Sequence, residues 1–133
     1  MRSAGRKQLT LLKQRSDFLK AARASKAVAA GLVLQMRRRS SDGRSPGETD
    51  EPRIGFTSSK KVGGAVQRNL ARRRLRAAAV DVLVPRAKPL TDYVLIARGA
   101  TLTRPYDALL EDLESALSRV ERPRKQLKQG AGS

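Results

Sequence analysis

One segment constrains the fold of this chain more than any other. Gly63-Gly64 breaks the chain, and Ala65 to Val84 then runs without Gly or Pro until Pro85 and Pro89. That pattern predicts a helix over 65–84 closed by proline. At ~100° per residue, Ala71, Leu75, Ala78 and Val82 share one face, with Ala79 at its edge. Arg68, Asn69, Arg72, Arg73 and Arg76 sweep the neighbouring face. The small alanines permit close approach to a sheet, so the helix is expected to lie on strands and hold its arginines rigidly. Arg68, Arg72 and Arg76 stand four residues apart in one row, and such like-charge neighbours repel by roughly 0.2–0.5 kcal/mol per pair. Phosphates seated against the row relieve that conflict. Arginine suits the task because its planar fork grips phosphate oxygens in two places and stacks on bases. Asn69 adds an amide that both donates and accepts, and Lys60 and Lys61 extend the positive surface.

Around this helix the remaining elements fall into an α+β order. Ser16 is a candidate N-cap for a short helix through about Ala24. Gly31 to Met36 reads as a strand, and Arg53 to Ser58 alternates apolar and polar residues as a half-buried strand should. Tyr93-Val-Leu-Ile-Ala97 is a further strand, followed by a turn over 98–103. Pro105 suits the first position of a last helix, with Asp107, Glu111 and Asp112 favouring its positive end. Tyr106, Leu109, Leu110, Leu113, Leu117 and Val120 form its core-facing stripe. Short strands with segregated helices predict one α/β sandwich domain over 9–121. A basic extension over 1–8 precedes it, a flexible loop over 40–52 interrupts it, and a disordered basic tail over 122–133 follows.

Charge narrows the partner. The net charge is +17, and a compact domain so charged repels itself unless a polyanion compensates. Counterion release from a phosphate backbone supplies that compensation. Residues 53–80 carry Arg53, Lys60, Lys61, Arg68, Arg72, Arg73, Arg74 and Arg76 and no acid. The acids collect in the 40–52 loop and beyond Asp107. The basic segments are backed by alanine rather than large apolar residues, which argues against a membrane-surface helix. No apolar run approaches the roughly 20 residues of a membrane span, and the N-terminus lacks a signal-peptide core. A cytoplasmic location is the expectation.

The run Arg53-Ile-Gly-Phe-Thr-Ser-Ser-Lys-Lys-Val-Gly-Gly-Ala-Val-Gln-Arg-Asn-Leu-Ala-Arg-Arg-Arg-Leu-Arg76 closely resembles the signature of the bacterial ribonuclease P protein family. There a strand ends in Ser-x-Lys-Lys and leads to Gly-x-Ala-Val-x-Arg-Asn-Arg and a basic helix. Leu11-Leu-Lys-Gln-Arg-Ser-Asp-Phe18 and Asp92 to Arg98 resemble the family's N-terminal segment and final strand. The resemblance spans about Leu9 to Val120. It implies an α/β sandwich like the second domain of ribosomal protein S5, with a left-handed βαβ crossover. It also implies one-to-one binding of a catalytic RNA that removes the 5′ leader of precursor tRNA by metal-dependent hydrolysis. Arg68, Asn69, Arg72, Arg73 and Arg76, with Lys60 and Lys61, match the RNA-binding positions; Phe18, Val33 and Gln35 match the leader cleft.

Three departures from the family pattern carry expectations. Leu70 stands where the family usually has arginine. Arg74 stands at an often apolar position and is expected to replace part of the lost charge. Ala22 and Gln35 stand where relatives often carry aromatics, each worth roughly 1–3 kcal/mol to a stacked base, so leader affinity is expected to be weaker than in aromatic-rich relatives.

Catalysis by the protein itself is disfavoured by its residues. Cysteine and histidine are both absent, which removes disulfides, thiolate sites and the commonest general base and metal ligand. Asp107, Glu111, Asp112 and Glu114 read as a solvated helix face, so no catalytic or metal-binding residue is assigned. Mg²⁺ is expected on the RNA partner, with precursor tRNA as substrate and no obligate protein partner or membrane. On charge and size alone a protein that only folds ribosomal RNA remains open. A DNA-binding module would want a base-reading helix and usually a dimer. A stand-alone nuclease would want the acid–base or metal groups that are missing here.

Overall fold

The computed structural model describes residues 10–40 and 49–122. The expected N-terminal extension, most of the 40–52 loop and the tail beyond Arg122 lie outside these residues. The strands are β1 (Ser25–Val28), β2 (Leu32–Arg38), β3 (Arg53–Thr57) and β4 (Thr91–Ala97), and the α-helices are α1 (Arg15–Ala22), α2 (Ala65–Ala78) and α3 (Tyr106–Val120). They build a 4-stranded sheet in the order β1-β2-β4-β3. β1, β2 and β4 pair antiparallel, whereas β3 and β4 are parallel neighbours joined through α2. The parallel pair needs a crossover, and the helix supplies it. This is the α+β architecture expected.

Alternation along the strands divides the sheet into two faces. Ala27, Leu32, Leu34, Ile54, Tyr93, Leu95 and Ala97 face α2 and α3, where they bury Ala71, Leu75, Ala78, Leu109, Leu113 and Leu117. Leu12, Ala21 and Val94, with Phe18 and Ile96 half-buried beside them, form a smaller cluster under α1 on the opposite face. The α2 and α3 stripes read from the sequence are therefore the main core. Tyr106 and Leu110 sit only half-buried at the edge of theirs.

Several boundaries differ from expectation. α1 begins at Arg15 with Gln14 at its N-cap, so Ser16 lies inside the first turn and caps nothing. α2 is regular only to Ala78; Ala79–Leu83 form a π turn and Val84–Arg86 a 3₁₀ turn. Pro85 has no N–H for the Asp81 carbonyl and its ring crowds that carbonyl, so a regular α-helix cannot continue through it. β1 carried no sequence signal, because only Ala27 of its residues is buried. Thr10–Leu12 adds an unexpected edge. Ile54 N–H donates to the Thr10 carbonyl (2.8 Å) and Leu12 N–H to the Ile54 carbonyl (3.0 Å), in parallel with β3.

Candidate nucleic-acid interface

α2 starts where Gly63 turns at φ 144°, a backbone geometry that L side chains rarely adopt. Gln67 Oε1 accepts from the Gly64 N–H at 3.1 Å and closes the first turn. Just upstream, Lys60–Val62 form a 3₁₀ turn, with the Ser59 hydroxyl accepting from the Lys61 N–H. Lys60 and Lys61 are exposed at the start of α2. Asn69, Arg73 and Arg76 are exposed and Arg68 and Arg72 half-buried, all on the flank next to the core stripe. Arg72 donates to Asn69 Oδ1. Among the described residues, no ion pair involves an arginine of α2. The expected RNA-binding residues Arg68, Asn69, Arg72, Arg73 and Arg76 thus share one side of α2, with Lys60 and Lys61 in the turn before it.

Arg74 departs from its expected role. It lies on the α3 side of α2, where its guanidinium donates to the backbone carbonyls of Leu102 and Arg104. It stands four residues on from Leu70, in the same row, but its guanidinium is engaged by the turn ahead of α3, which it pins. Leu70 is 42% exposed and Val66, one turn before it, 77% exposed.

The residues expected to form a leader cleft lie across the sheet, Phe18 on α1 and Val33 and Gln35 on β2 beneath it. Phe18 rests on Gly55, where an added Cβ would meet the ring at 2.6 Å; glycine here is a requirement of that close approach. Val33 is half-buried, and Gln35, two residues on, is buried. Pairing aligns Val28, Val33, Ile96 and Thr57 in one row across the sheet. Val28 is exposed and the other three are half-buried. This row extends the floor beside Val33 and was not read from the sequence, because it depends on register. Gln35 lies in the next row, opposite Val94 and Lys26, so it offers less surface than expected.

At the far end of that face, arginine is neutralised rather than displayed. Asp92 is fully buried. Its carboxylate accepts from Arg39 at 2.7 Å, from Arg53 at 2.8 Å through each oxygen, and from Arg37 at 3.3 Å. Asp17 on α1 adds ion pairs to Arg37 (3.5 Å) and Arg53 (3.4 Å). Arg39 also donates to the carbonyls of Thr49 and Glu51. α1, β2, β3, β4 and the end of the 40–52 loop are therefore tied at one point.

Asp112 requires a correction. It is buried, not part of a solvated face. It takes two bonds from Arg104, at 2.7 and 3.0 Å, and one from the Gly31 N–H at 3.0 Å. The hydrogen bonding of Arg104 to Asp112 raises the Arg104 pKa above its ordinary value. Among the described residues no group of three or more His, Cys, Asp or Glu converges as a metal site would require, and no helix is long and apolar enough to cross a membrane.

Known proteins match this chain along most of its length. The ribonuclease P family pattern matches residues 7–121. The ribonuclease P protein component of Ruegeria pomeroyi is 49% identical over 117 residues, covering 87% of this chain and 90% of the relative. That of Caulobacter vibrioides is 48% identical over 106 residues, covering 80% and 67%. Two solved structures share the fold at 22% identity. The ribonuclease P protein of Staphylococcus aureus has a TM-score of 0.65 and covers 86% of this chain and 97% of its own. That of Thermotoga maritima has a TM-score of 0.64 and covers 86% and 100%. With an arginine-bearing crossover helix on the matching fold and this identity over nearly the whole chain, the protein belongs to the bacterial ribonuclease P protein family and is a subunit of the endoribonuclease holoenzyme of tRNA processing.

Proposed function

We propose that the α2 surface binds the catalytic RNA of ribonuclease P one-to-one, and that the α1 face receives the 5′ leader of precursor tRNA. Lys60, Lys61, Arg68, Asn69, Arg72, Arg73 and Arg76 hold the catalytic RNA. Phe18, Val33 and Gln35, with the row Val28–Ile96–Thr57 beside them, hold the leader. The observation that carries this reading is a contrast in pairing. Arg37, Arg39 and Arg53 are held by Asp92 and Asp17, whereas the arginines of α2 meet no carboxylate among the described residues. Cations held rigid and unpaired on a helix flank suit a polyanion.

The chemistry then rests with the RNA and its Mg²⁺ ions, and the protein raises substrate affinity and screens RNA–RNA repulsion. The working domain is 9–121, acting in the cytoplasm with RNA rather than protein as its partner. Phe18 is the one aromatic among the leader residues assigned, so leader binding leans on charge and hydrogen bonds. The test is cleavage of precursor tRNA in Mg²⁺ by protein alone, RNA alone and both together. Cleavage requiring the RNA supports the reading, and protein-only cleavage that survives ribonuclease treatment overturns it. Titrating precursors of increasing leader length tests the cleft. A shallow dependence is expected, and a steep gain counts against the thin-grip reading.

A further inference from the structure

The edge segment Thr10–Lys13 runs along β3 and faces the arginine flank of α2 across a groove of about 450 Å³. Its size falls within the roughly 300–1,000 Å³ of small-molecule sites. The groove has two chemically distinct parts. Leu11, 37% exposed, and half-buried Phe56 supply an apolar part. Lys13 supplies a cation from one wall and Arg72, Arg73 and Arg76 supply cations from the other. Among the described residues no Asp or Glu lines it. The edge segment is held in place by its two backbone bonds to Ile54 and by the Thr10 hydroxyl, which donates to Glu51 at 2.8 Å. Arg72 is oriented by its bond to Asn69.

A continuous duplex backbone would use the cations and leave the apolar part facing water. A ligand that uses both has an apolar flat body and an attached anion. We infer that this groove holds one unpaired, unstacked nucleotide of the catalytic RNA. Its base packs on Leu11 and Phe56, and its flanking phosphates bridge Lys13 to Arg73 and Arg76. This deepens the reading of α2 as the RNA surface and rests on it. It also gives the N-terminal segment a binding role that a helix wheel of α2 does not contain.

The chain has no cysteine, so a Leu11→Cys variant carries one photo-crosslinker at a unique place. In the full-length protein reconstituted with catalytic RNA and precursor tRNA, crosslinks are expected at one unpaired nucleotide of the catalytic RNA. Crosslinks confined to paired nucleotides or to precursor tRNA, or none at all, overturn the inference. Leu11→Ala should weaken catalytic-RNA binding about five- to tenfold without changing its salt slope. Lys13→Ala should flatten that slope by about one counterion. Val66→Ala, exposed on α2 but not lining the groove, is the control for a general apolar effect. An equal loss there, or an unchanged affinity for Leu11→Ala with an unchanged thermal midpoint, also overturns the inference. Failure of the underlying reading has a separate signature, since Arg72→Ala and Arg76→Ala would then leave affinity untouched.

Discussion

Arginine has two fates in this molecule, and the difference is set by where a carboxylate can be brought. At the end of the sheet, Arg37, Arg39 and Arg53 converge on buried Asp92, with Asp17 closing the cluster from α1. On α2, Arg68, Arg72, Arg73 and Arg76 sit on a helix with no acid before Asp81 and stay outside every ion pair among the described residues. The first group is structural: a guanidinium buried without its acid is costly. The second is a surface whose own repulsion a phosphate partner relieves. Arg74 belongs to α2 by sequence but to the first group by behaviour, because backbone carbonyls hold it.

If this division holds, substitutions at the two regions separate stability from RNA affinity. Asp92→Ala strands buried Arg39 and should cost about 3–5 kcal/mol. Chemical denaturation measures it, and a loss below about 1 kcal/mol would break the comparison. Leu117→Ala, fully buried in the α3 stripe, is the benchmark for pure packing at about 2–5 kcal/mol. Arg74→Ala should cost about 1–3 kcal/mol by leaving two carbonyls short of a donor, while the salt slope of RNA binding stays unchanged. If that slope falls as it does for Arg72→Ala, Arg74 belongs with the RNA surface after all.

Tyr106→Phe should cost less, about 0.5–1 kcal/mol, for the exposed bond its hydroxyl donates to Asp81 at 2.6 Å. Burial first, and that bond second, push the phenol up to about 12 from its ordinary 10. The neutral phenol is the donor, so the contribution is whole below pH 10 and is lost as pH rises towards 12. Wild type and variant should therefore differ equally at pH 6 and pH 9 and converge only in strong alkali. Arg72→Ala and Arg76→Ala should change stability least, within about 0.5 kcal/mol. Each should instead lower RNA affinity and reduce the salt slope by about one.

Much of the fold was legible because it follows local period. The α2 stripe of Ala71, Leu75, Ala78 and Val82 is buried as the wheel requires, and the Tyr93–Ala97 run lies within a central strand. Elements with weak patterns escaped notice. β1 buries one side chain, and the Thr10–Leu12 edge pairs with Ile54 through backbone atoms. The α2 half of the candidate interface was legible for the same reason as the helix. The groove opposite it was not, since Leu11 and Phe56 are far apart along the chain and meet only through the β3 edge.

By itself the sequence determined which helix carries the arginines and which side of it is buried. These are properties of spacing within one segment, and a helical or extended period imposes them wherever the segment sits. Only the tertiary structure decided which charges are neutralised. Asp112 was read as solvated and is buried; Arg74 was read as a spare phosphate contact and is a backbone clamp. Asp92 near the start of β4 and Arg39 just past the end of β2 meet because the pairing of those strands brings the β2 terminus to the start of β4. A charge is spent or left free by what strand register and helix docking place within about 3 Å of it, and neither quantity is local in sequence.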